Sequence, residues 1–83
     1  MNQKPEIVIV QIKKNDQTLI CHADLIFVEN IPHVVLEWSK TPDGEEVPSL
    51  SVALDFSKLK TLNWPDAKYI YEGNAVQWPR TSS

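Results

Sequence analysis

An alternation of apolar and small or polar residues over residues 47–57 limits most strongly what this chain can fold into. The pattern runs Ser49, Leu50, Ser51, Val52, Ala53, Leu54, Asp55 and Phe56. Successive side chains of a strand point to opposite sides of a sheet, so a period of two residues is typical of a strand with one buried face. The segment therefore predicts a half-buried β-strand. It contains no catalytic or ligand-binding motif.

Other stretches of the chain have the composition of strands because they are rich in Ile, Val, Thr, Tyr or Trp. The predicted strands are residues 6–14, 18–29, 33–39, 49–57, 68–72 and 75–78. Turn residues separate them, at Asn15-Asp16, Asn30-Ile31-Pro32, Thr41-Pro42-Asp43-Gly44 and Gly73-Asn74. The turn at residues 30–32 has the weakest signal, because Ile resists positive φ and the loop there can be longer.

One short helix is predicted near residues 57–62. Asp55 or Ser57 can cap its N-terminus, and Leu59 and Leu62 are three residues apart on one face. Pro65 ends it, because a proline pushes the residue before it out of the helical region. The sequence therefore predicts a mainly β fold, an antiparallel meander of five or six strands that forms a curled sheet or a small open barrel with this one helix.

Length and composition predict one small β-rich domain over residues 1–83, because 83 residues provide material for a single core. Residues 80–83 follow Pro79 and are predicted to be a disordered tail. Cys21 has no second cysteine to pair with, which favours a reducing compartment, the cytoplasm. The apolar run at residues 7–10 is too short for a signal peptide or a membrane span, so we expect a soluble protein that does not contact membranes.

Charge is distributed unevenly along the chain. The net charge is −3, and residues 22–57 carry one lysine against seven acidic residues, a local balance of −6. Proteins that bind nucleic acids obtain most of their affinity from Lys and Arg contacts to phosphates. Because this chain has an acidic centre and no run of basic residues, we expect no nucleic-acid partner.

The turns also predict a register for the first four strands. The expected cross-strand pairs are Val10 with Cys21, Val28 with His33, Leu25 with Leu36, Ala23 with Trp38, and Trp38 with Leu50. This register collects one apolar set on one side of the sheet, which we call the core face. The other side, the second face, is not simply polar. It carries a further apolar set, namely Ile7, Ile9, Ile20, Ile26, Val28 and Val35.

The second face is the predicted site of self-association. Large exposed apolar patches usually mark interaction surfaces, and the remaining chain is too short to cover both faces. The sequence therefore predicts a homo-oligomer, most simply a homodimer, or a complex with another protein. We expect the protein to be a non-enzymatic interaction or accessory protein.

Candidate catalytic and metal-binding residues are few. His22, Asp24, His33 and Glu37 share the second face, but the predicted register separates the two histidines by roughly 20 Å, too far to bind one ion. We therefore expect no metal and no cofactor. Asp24 is predicted to lie opposite Glu37, and a carboxylate pair can hydrolyse glycosides. Such a hydrolase remains the less favoured alternative, because this chain is too short to build a cleft, and we expect no enzyme.

An aromatic cluster is the main alternative site. Its members are Trp64, Tyr69, Tyr71 and Trp78. A hairpin at Gly73-Asn74 would place Tyr71 against Val76 and Tyr69 against Trp78. Aromatic side chains dominate both cores and interfaces. In a domain of this size the core interpretation is favoured, and the alternative is a stacking platform for a sugar or a peptide.

Overall fold

The computed structural model describes residues 5–78, which form one open sheet that does not close into a barrel. Its elements are β1 (Glu6–Lys14), β2 (Gln17–Val28), β3 (Ile31–Lys40), β4 (Glu46–Ala53), one 3-10 turn (Phe56–Lys58), β5 (Leu59–Thr61), β6 (Tyr69–Tyr71) and β7 (Val76–Gln77). The order across the sheet is β4-β3-β2-β1-β6-β5, and β7 also pairs with β1. The prediction of a mainly β fold is confirmed. The tail predicted at residues 80–83 lies outside the described residues.

The helix expected near residues 57–62 is a single 3-10 turn followed by a strand. Asp55 caps the turn, since its carboxylate accepts a hydrogen bond from the Ser57 amide. The next residue after the turn, Leu59, is already extended, with φ −91° and ψ 122°, and it pairs with Tyr71 of β6. Residues 59–61 thus form a strand paired with β6 and not the predicted helix, whose sequence signal is weak.

The first hairpin has the predicted register. Val10 pairs with Cys21 and Ile12 with Leu19, and the loop is Asn15-Asp16. Asn15 adopts φ 57°, a left-handed conformation that Asn tolerates better than most residues.

The second hairpin is shifted by two residues from the prediction. Its loop is Glu29-Asn30, with φ 52° and 69°, so that Val28 pairs with Ile31 instead of His33. Leu25 consequently pairs with Val34 and not with Leu36. A shift by an even number of residues keeps every side chain on its predicted face, because side chains alternate with a period of two.

A β-bulge in β3 changes the position of Trp38. The pairing between β3 and β4 is irregular on both sides of Glu37, and Trp38 pairs with Pro48, not with Leu50. Its indole Nε1 donates a hydrogen bond of 2.7 Å to Asp24 Oδ2, and Asp24 projects from the second face. A bulge inserts an extra residue and can turn the following side chain to the other face. The prediction that Trp38 lies opposite Ala23 on the core face is therefore wrong.

The turn between β3 and β4 is confirmed. The Gly44 amide donates to the Thr41 carbonyl at 2.9 Å, and the Thr41 amide donates to the Glu45 carbonyl at 2.8 Å. Gly44 has φ 92°, a conformation in which a side chain is strained.

The last two strands do not form the predicted hairpin. Both run parallel to β1 along the same edge, where Val8 pairs with Tyr69 and Ile12 pairs with Val76. Gly73 lies between them in a bend. A Cβ at this position would come within 2.6 Å of the Tyr71 ring, so the glycine is needed for this close approach. Tyr71 therefore does not face Val76, and Tyr69 does not face Trp78.

The core lies on one side of the sheet. Its buried side chains are Val8, Val10, Ile12, Leu25, Val34, Leu54 and Val76. The segment after β4 spans this side, because the Leu54 amide donates to the Pro32 carbonyl at 2.8 Å and the Asp55 amide donates to the Tyr71 hydroxyl oxygen at 3.1 Å. The extensive contacts between strands are all between neighbours in the sheet. Among the described residues, no strand therefore makes extensive contacts across the second face.

Candidate functional site

The second face carries the predicted self-association residues as one set on alternating strand positions. They are Ile7, Ile9, Ile20, Ile26 and Val35. Their exposure differs. Ile20 is 71 % exposed, the other isoleucines are half-buried, and Val35 is only 5 % exposed. Val35 lies on β3, between β2 and β4, and contributes little exposed surface. The contact surface of this face consists mainly of its isoleucines.

Three more apolar side chains belong to this face and were not predicted there. Ile31, which the sequence placed in a loop, is 49 % exposed and pairs with Val28, which is 45 % exposed. Ile70 of β6 pairs with Ile9 and extends the face towards β5. Trp38 lies on this face because of the irregular pairing around Glu37, and its indole donates to Asp24. The β-branched side chain of Ile31 was a local signal that this residue belongs to a strand. The positions of Trp38 and Ile70 depend on pairing with strands that are distant in sequence, so no local signal could indicate them.

The acidic pair predicted on this face is not formed. Asp24 pairs with Val35, not with Glu37, and its carboxylate accepts a hydrogen bond from the Trp38 indole. The carboxylate-pair hydrolase thus loses the arrangement on which it depended. His22 pairs with Ile9, and His33 Nδ1 donates to the Ile31 carbonyl at 2.9 Å. Within residues 5–78, no group of three or more His, Cys, Asp or Glu side chains is arranged to hold a metal ion.

The four aromatic residues of the alternative site are distributed over the molecule. Tyr69, Tyr71 and Trp78 are half-buried and pack against the core, whereas Trp64 is 55 % exposed in the loop between β5 and β6. Tyr69 and Val76 pair with positions of β1 that are four residues apart, or about 13 Å along the strand. Trp78 lies beyond Val76, with Lys14 Nζ 4.6 Å from its ring centroid.

Within residues 5–78, two titratable groups have shifted pKa values, and neither arrangement resembles a catalytic site. Burial raises the pKa of the Cys21 thiol, which keeps it neutral and weakly nucleophilic. Hydrogen bonds from the hydroxyl and amide of Ser57 lower the pKa of Asp55. This second shift belongs to the cap of the 3-10 turn, where an anionic acceptor is favoured.

No family model, no curated protein and no solved structure matches this chain. In the part of the chain that the structure describes, no helix is long and apolar enough to cross a membrane.

Proposed function

We propose that this protein is a non-enzymatic interaction protein that self-associates through the second face of its sheet. One observation carries the proposal: the second face of the sheet displays isoleucines to solvent, and no other strand of residues 5–78 makes extensive contacts with it. Covering an apolar face is favourable by roughly 25 cal/mol per Å². The second face of another copy of the chain is equally apolar and can bury these isoleucines.

The size of the face fits such an interface. The chain measures 36 × 36 × 23 Å along its principal axes, and stable protein interfaces bury about 800 Å² on each partner. Two sheets can pack face to face at a distance of about 10 Å with their inner side chains interdigitating. Symmetric packing of identical patches is the commonest form of oligomer, so a dimer is the simplest arrangement.

The proposed compartment is the cytoplasm. The chain has one cysteine, Cys21, which is half-buried opposite Val10, and it therefore cannot form an intramolecular disulfide of the kind that stabilises small proteins in oxidising compartments. We expect no nucleic-acid partner, because the acidic residues at the centre of the sequence would repel the phosphates. Another protein with an apolar sheet or groove is the alternative to a second copy.

Two neighbouring substitutions test the proposal. Ile20 and Leu19 are adjacent on β2 and similarly exposed, 71 % and 56 %, but they point to opposite faces. Ile20→Lys should lower the mass measured by sedimentation relative to the wild type at the same concentration, because it places a charge in the interface. Leu19→Lys should leave the mass unchanged. Equal masses for wild type and Ile20→Lys would refute association through this face.

A ligand-binding function is the second candidate, and the exposure of Trp64 is the observation that favours it. Aromatic rings in exposed loops stack on sugars and peptides. Binding of such a ligand should quench tryptophan fluorescence in the wild type and not in Trp64→Phe. Ligand quenching that persists in Trp64→Phe would exclude Trp64 as the platform.

A further inference from the structure

The two edges of the sheet differ in how well they are protected against pairing with another chain. β5 forms one edge, is three residues long, contains Lys60 and directly follows Lys58 of the 3-10 turn. Short length and lysines are common devices that prevent edge-to-edge pairing. β4 forms the other edge, is eight residues long, and all of its residues are exposed or half-exposed.

Protection of the β4 edge is confined to its first half. Glu46 and Pro48 lie there, and charges and prolines both oppose the addition of a strand. The second half, Ser49–Ala53, contains neither a charged residue nor a proline. This part of the edge is therefore open to pairing.

The hydrogen bonds of β4 show which backbone groups point outwards. The Leu54 amide donates to the Pro32 carbonyl on β3, and Val52 pairs with Val34. Along an antiparallel strand, successive residues direct their N–H and C=O groups to alternate sides. The amides and carbonyls of Ser51 and Ala53 therefore point away from β3, towards the open edge.

We propose that β4 pairs antiparallel with β4 of a second copy, with Ser51 facing Ser51 of the partner subunit. In this register the outward N–H and C=O groups of the two serines bond reciprocally. Leu50 then lies beside Val52 of the partner subunit on the core side, and both of these side chains are half-buried in the single chain. The apolar pair occurs twice because the arrangement is symmetric.

This pairing uses an edge of the sheet and does not rest on association through the second face. A two-fold axis relates the copies, so the edge contact alone closes at a dimer. A wild-type chain that also associates through the second face forms a larger assembly, which is why its mass should exceed that of the Ile20→Lys chain. The outer edge of each copy is then β5, which is the protected one.

The test uses the Ile20→Lys chain, in which association through the second face is removed. Sedimentation of this chain should give a dimer, twice the 9.5 kDa of one chain. Adding Ser51→Pro should halve the mass, because proline removes the outward N–H without touching the bonds to β3. The matched control, Ser51→Ala, keeps the N–H and should remain a dimer. A monomeric Ile20→Lys chain, or a dimer that survives Ser51→Pro, would overturn the pairing.

A charge exchange keeps the proposal testable if the proline variant does not fold. Because residue 51 meets its own counterpart, Ser51→Glu alone and Ser51→Lys alone should each repel and be monomers in the Ile20→Lys background. Mixing them should yield a heterodimer, which native mass spectrometry distinguishes from either homodimer by mass. Mixed chains that stay monomeric would contradict the register. If Ile20→Lys has the mass of the wild type, the second-face proposal fails while the Ser51 variants still report on the edge.

Discussion

The two faces of this sheet carry similar side chains but have different surroundings. The core face has Val8, Val10, Leu25 and Val34, all at most 1 % exposed, because the segment after β4 spans this side. The second face has an isoleucine at several equivalent positions, yet residues such as Ile20 remain in solvent. The comparison shows that apolar content does not identify the core of a single-layer sheet. The chain segment that covers a face decides which one becomes the core.

Substitutions to alanine on the two faces should separate them most strongly. Leu25→Ala should lower the free energy of unfolding by about 3 kcal/mol, because it leaves a cavity among buried side chains. Ile20→Ala should change it by less than about 0.5 kcal/mol at a dilution at which sedimentation gives the mass of one chain. Urea denaturation at two protein concentrations measures both. A loss for Ile20→Ala as large as that for Leu25→Ala at high dilution would mean that the second face is covered within the chain.

Trp38 sharpens the comparison because the bulge moves it between the faces. Trp38→Phe should lower the free energy of unfolding by about 1 kcal/mol, since it keeps an aromatic ring and removes the hydrogen bond to Asp24. Asp24→Asn is the control, because its amide oxygen can still accept this hydrogen bond. If Asp24→Asn alters the indole N–H resonance as much as Asp24→Ala does, the hydrogen bond is not the one described.

The loop between β2 and β3 maintains the separation of the faces, because a slip of one residue would exchange them. Glu29 occupies a left-handed conformation that Asn tolerates better than Glu. Glu29→Asn should therefore raise the free energy of unfolding by about 0.5 kcal/mol, and Glu29→Val should lower it, because β-branched residues are strained there. Thermal unfolding of the two variants checks the signs. A stabilising Glu29→Val would show that the loop has another conformation.

The meander of β1 to β4 was predictable because its signals are local. Alternation and turn residues fixed the first hairpin, and the even shift of the second hairpin preserved the assignment of Leu25 and Ile26 to opposite faces. The bulge at Leu36 and Glu37 has no local signal of this kind, so the position of Trp38 could not be predicted.

The C-terminal strands were not predictable from local signals because their partner is distant. β6 and β7 pair in parallel with the free edge of β1, about sixty residues earlier in the chain. The residue types of Gly73-Asn74 are typical of a hairpin turn. In the structure, however, Gly73 is needed because the Tyr71 ring lies too close for a side chain at this position. For the site, alternation predicted which residues share the second face. Their exposure depends on which face the segment after β4 covers, and this is a property of the whole chain.

Sedimentation of the wild-type chain at micromolar concentration tests the central claim most directly. Association through the second face predicts a mass above the 9.5 kDa of one chain, and the mass should fall in Ile20→Lys but not in Leu19→Lys. A single species of 9.5 kDa at every concentration would contradict the account, because the apolar second face would then be stable in water without a partner copy.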